Sequence, residues 1–74
     1  MATKTMALNT EADVERAEAE ATRMGADFGV VEIQHRNGAW LSHADVSVGS
    51  GSLIFYVANQ WAGERRRVRL VVEE

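Results

Sequence analysis

A chain of 74 residues with neither cysteine nor proline has room for one domain, 1–74, whose folding buries only about 60% of the surface its unfolded form exposes; disulfide staples, thiolate metal sites and a cysteine nucleophile are excluded. A formal net charge of -3 gives no general attraction to nucleic acid or to an anionic membrane, and no stretch is apolar for long enough to span a bilayer. Residues 1–8 lack the charged segment and sustained apolar run of a secretory signal, so a cytoplasmic setting is expected.

Residues 3–8 alternate weakly, with Met6 and Leu8 on one side and Thr5 and Ala7 on the other, which predicts a short strand. Asn9 and Thr10 suit a helix N-cap, and Thr10 followed by Asp13 has the spacing of a capping box. From Glu11 to Met24 nearly every residue is a good helix former. Val14, Ala17, Ala21 and Met24 recur at steps of three and four, giving one narrow apolar stripe that faces a sheet, and Gly25 is the natural left-handed stop after Arg23.

Residues 28–36 and 39–48 read as a hairpin around Asn37 and Gly38, the pair best suited to a two-residue turn. That turn sets His35 opposite Trp40, Ile33 opposite Ser42 and Val31 opposite Ala44, so Val31, Ile33, His35, Trp40, Ala44, Val46 and Val48 share the core face. Gly49-Ser50-Gly51-Ser52 is a flexible connection. Residues 53–59 form the most hydrophobic run and read as a central strand, with Leu53, Phe55 and Val57 on one face and Ile54, Tyr56 and Ala58 on the other. After a turn at residues 61–64, Val68, Leu70 and Val72 alternate with Arg67, Arg69 and Val71 in a last strand.

The expected fold is therefore α+β: a two-layer sandwich of one amphipathic helix on a mainly antiparallel four- to five-stranded sheet, in the order β-α-β-β-β-β. A first strand paired parallel with residues 28–36 makes the helix a right-handed crossover; an edge strand or a loose arm is the other arrangement. One sheet face stays uncovered, and with Ile54, Tyr56 or Val71 on it a homodimer through sheet surface or edge is open to the chain.

Two groups of residues offer contact surface. Glu11, Asp13, Glu15, Glu18 and Glu20 crowd the helix, where they attract a basic partner protein or serve as an ordinary solvent face. Arg65, Arg67 and Arg69 fall on one side of the last strand, about 6.6 Å apart, near Tyr56 and Trp61. That combination suits phosphate tracking with base stacking, or a charged edge that resists aggregation. Trp61, at a turn beside arginines, is either an interface anchor or a cover for one end of the core.

Catalytic equipment is sparse. His43 and Asp45 share a strand face with Glu32 across from His43, a set that reads as cross-strand surface pairing rather than a metal or acid-base site. His35 with Trp40 reads as packing at the hairpin end. Gly49, Gly51 and Ser52 lack the lysine and the following helix of a phosphate loop. The chain is expected to be non-enzymatic and to need no cofactor and no metal.

In size, acidity and lack of catalytic groups it resembles small phage-encoded inhibitors, including anti-CRISPR proteins, a likeness of gross properties that maps onto no motif. The resemblance implies a host defence protein as partner, occluded through the acidic helix or the Trp61 turn. The alternative is a small nucleic-acid-binding protein that uses Arg65, Arg67 and Arg69 with Tyr56 or Trp61.

Overall fold

The computed structural model describes residues 3–57 and 66–73. Strand β1 (Thr3–Ala7) leads into helix α1 (Glu11–Arg23), then β2 (Phe28–Gln34), β3 (Trp40–Ser47), a 3-10 helix (Ser52–Tyr56) and β4 (Val68–Glu73). The four strands form one antiparallel sheet in the order β1-β4-β2-β3, with α1 and the 3-10 helix on one face.

Helix α1 begins and ends where its sequence dictates. Thr10 Oγ1 accepts from Asp13 N at 3.1 Å while the Asp13 carboxylate accepts from Thr10 N, closing the capping box. Gly25, at φ 77°, ends it: Gly25 N donates to Thr22 O and Ala26 N to Ala21 O, a Schellman arrangement that a left-handed glycine permits. Val14, Ala17 and Ala21 are buried and Met24 packs against them, so the apolar stripe faces inward as its spacing requires.

Strand β4 takes the place next to β1, so β1 and β2 run in the same direction without touching and the parallel pairing considered for them does not form. With Val68, Leu70 and Val72 fully covered, β4 is an interior strand. Its arginines therefore do not guard a sheet edge. Leu8, Val31, Ile33, Val46 and Leu53 complete an aliphatic core that holds no polar side chain among the described residues.

Two expectations are corrected. The run from Leu53 is a 3-10 helix, not a central strand, and Ala58 and Asn59 lie outside the described residues. Gly49 and Gly51, at φ 84° and 80°, turn the chain away from the sheet plane. With three residues per turn, Leu53 and Tyr56 then share the inward side while Ile54 and Phe55 point outward. Alternation would have put Leu53 and Phe55 together; Leu53 is instead fully covered and Phe55 is 77% exposed.

The hairpin register is the second. Val31 pairs with Ala44 as expected, but a bulge follows, and Glu32, Ile33 and Gln34 pair with Ser42, Leu41 and Trp40. At the tip, Gly38 N donates to His35 O and His35 N donates to Ala39 O, with Gly38 at φ 91°. This is a three-residue loop with a left-handed glycine in its last position, not a two-residue turn. Asn37 Oδ1 accepts from Ala39 N at 2.9 Å and supports it. One residue of slip reverses which way a side chain points. Trp40 thus leaves the core face, and His35, exposed, is not its cross-strand partner.

Candidate functional site

The sheet face away from α1 carries Phe28, Val30, Glu32 and Gln34 from β2, Trp40, Ser42, Asp45 and Ser47 from β3, and Arg69, Val71 and Glu73 from β4, as the pairings and strand alternation require. Near its middle, Arg69 donates through Nε (2.8 Å) and Nη2 (2.7 Å) to Glu32 Oε1. The same guanidinium lies 4.1 Å from the centroid of the Trp40 ring, a cation-π stack on a half-buried tryptophan. Three strands are tied together by this group, which is held in place by charge, hydrogen bonding and stacking at once.

Beyond it, Phe28, Val30 and Val71 line an open groove of about 570 Å³, rimmed by Asp45 and Glu73. Phe28 is 70% exposed. Gly29 lines the groove with backbone only: a Cβ there would meet Leu70 Cδ1 at 2.7 Å and Val71 O at 3.1 Å, so β2 and β4 approach over it as no other residue would allow. At the far end alternation carries the exposed Arg67 onto the same face. The face is thus apolar in the groove, acidic at one end and basic at the other.

The residues singled out from the sequence are scattered. Asp13 is part of the helix cap: partial desolvation raises its pKa, but hydrogen bonds from Arg16, Asn9 and Thr10 outweigh this and hold it below the usual carboxylate range. Glu20 accepts from Arg23 and from Lys4 Nζ of β1, which hold its carboxyl down to about 2. Glu11 and Glu15 are exposed, and Glu18 is partly covered. Of the five acids, two are therefore engaged in holding the helix.

Tyr56 packs against the core and meets His43 edge to face at 5.7 Å. With Ile54 it lies on the helix side, so neither contributes to the open sheet face. Trp61 and Arg65 lie outside the described residues. Arg69 is on the open face and bonded to Glu32, so its charge is already countered for phosphate tracking. Glu32, His43 and Asp45 do not converge either: the bulge leaves Glu32 opposite Ser42 and takes His43 to Tyr56. Among the described residues no group of three or more His, Asp or Glu is placed to hold a metal ion, and no helix is long and apolar enough to cross a membrane.

Comparison with known proteins adds no identity. No family model, no curated protein and no solved structure matches the chain.

Sequence reasoning put Val30 and Glu32 on the face away from the core without naming either as a site residue, gave Phe28 no role, and placed Trp40 in the core. The pattern held one clue: Val30, Glu32 and Gln34 alternate against Val31 and Ile33, so Glu32 had to lie on the face opposite the core. Trp40 was assigned to the core only through the turn length.

Proposed function

We propose that this protein is a small non-enzymatic binding module that works by covering a surface of another protein molecule, with the sheet face opposite α1 as the contact. One observation supports this above the rest. Among the described residues no aromatic side chain is buried: Phe28 is 70% and Phe55 77% exposed, while Trp40 and Tyr56 are only partly covered. A small domain that builds its core from valine, leucine, isoleucine and alanine leaves its largest side chains at the surface, where aromatics and arginine are the residues enriched at interfaces.

Trp40 under Arg69 is already rigid, so little side-chain freedom is lost when a partner settles on it. Nucleic acid is the less favoured ligand, because the Arg69 charge is countered by Glu32 and the groove beside it is rimmed by Asp45 and Glu73. Inhibition of a host defence complex is one use of such a face, and a cytoplasmic setting goes with it.

The test compares proteins cross-linked to the wild-type chain, to a Phe28→Ser, Val71→Ser variant and to a Glu11→Gln, Glu15→Gln variant. The expected outcome is a cross-linked partner that disappears only with the sheet-face variant. A partner that disappears only with the helix-carboxylate variant, or equal cross-linking by all three chains, would overturn the assignment.

A further inference from the structure

We infer that the occupant of this face is a second copy of the chain, packed sheet against sheet about a two-fold axis with the strands of the copies antiparallel. The inference rests on the protein-binding reading above and names the partner.

Charge fixes the orientation. Along β4 the open face runs from Arg67 at one end to Glu73 at the other, with Asp45 and Phe28 beside Glu73 and Trp40 toward the Arg67 end. A two-fold axis across the strands lays β4 on β4 and β3 on β3 with their directions reversed. Arg67 of each copy then meets Glu73 of the other, and each Trp40–Arg69 stack meets the acid-rimmed Phe28 groove. An axis along the strands would instead bring the Arg67 ends of the two copies to the same end and their Asp45 and Glu73 ends to the other, a like-charge arrangement that disfavours it.

Area is sufficient. Four strands about 4.8 Å apart and six residues at about 3.3 Å each give a face of about 400 Å² in projection, so two faces with their side-chain relief bury on the order of 1,000 Å². That is the low end of specific interfaces, which makes the dimer reversible rather than obligate. Face-to-face sheets also supply what a 74-residue chain without disulfides lacks, a second apolar layer. Both helices, with Glu11 and Glu15, would lie on the outside.

Sedimentation of the full chain from micromolar to millimolar concentration tests the inference. The expected result is a dimer that dissociates on dilution and weakens as salt rises. Phe28→Ser should give a monomer with unchanged far-UV circular dichroism. Arg67→Glu should weaken association about tenfold or more, and adding Glu73→Arg to it should restore the wild-type constant, because the pair is re-formed with its signs exchanged.

A monomer at every concentration would overturn the inference, as would a dimer indifferent to Phe28→Ser and Arg67→Glu. A monomer that cross-links to a different protein as wild type, and no longer does so with Phe28→Ser, refutes self-pairing and leaves the sheet-face reading standing. A monomer whose face binds nothing removes both.

Discussion

Replacing Leu53 by alanine removes the side chain with which the 3-10 helix closes the core beside α1 and β3. Leu53 is fully covered, and truncation of a buried leucine costs about 2 to 5 kcal/mol, through lost transfer energy and the cavity left behind. For a domain of this size each kcal/mol moves the melting temperature by about 4 to 8 °C, so a fall of roughly 8 to 40 °C is expected. Phe55→Ala removes a larger side chain that is 77% exposed, and its cost should stay below about 1 kcal/mol. The contrast is the informative quantity: in a strand the two residues would share a face and a fate, in a 3-10 helix they do not. Urea unfolding followed by far-UV circular dichroism, at one fixed protein concentration because self-association shifts apparent stability, gives both values. Equal losses, or a larger loss for Phe55→Ala, would refute the 3-10 assignment.

Gly29→Ala should destabilise by about 1 to 3 kcal/mol, since its Cβ would lie 2.7 Å from Leu70 Cδ1 and 3.1 Å from Val71 O, with Leu70 fully buried; an unchanged urea midpoint would show that β2 and β4 are farther apart. Acid should loosen the fold through Glu20. Its pKa falls from an ordinary 4.5 to about 2 in the folded chain, so its stabilisation is complete above about pH 4.5 and is lost as the pH drops towards 2. Glu20→Gln should flatten that part of the profile of urea midpoint against pH, and a profile identical to the wild type would contradict the Lys4 and Arg23 pairing.

Much of the fold was legible because several local signals agreed. Thr10, Asp13, the Val14-Ala17-Ala21 stripe and Gly25 each point to the same helix, and the structure has it with those caps. Val31, Ile33 and Val46 were placed on the core face, Val68, Leu70 and Val72 were placed by alternation on one side of the last strand, and all six are buried.

What failed had a single local signal, or a non-local cause. A run of six apolar residues, 53–58, fits a strand and a short helix equally well, and only the left-handed Gly49 and Gly51 divert it. Asn37-Gly38 marks the reversal but not its length, since Gly38 can serve as the last residue of a three-residue loop as readily as half of a two-residue turn. That one residue decides whether Trp40 belongs to the core or to the candidate site. The insertion of β4 between β1 and β2 is a long-range pairing with no local signature, and it turned an expected edge of arginines into an interior strand.

The position of Trp40 is the point on which the contact face depends, and nuclear Overhauser effects from its indole protons measure it most directly. The expected spectrum connects the Trp40 ring to the Arg69 side chain, whose methylene protons are shifted upfield by the ring current, with no cross-peaks to the methyls of Ala17 or Ala21. Cross-peaks from Trp40 to those helix methyls, with Arg69 at ordinary shifts, would put the ring in the core and contradict the assignment of the open face.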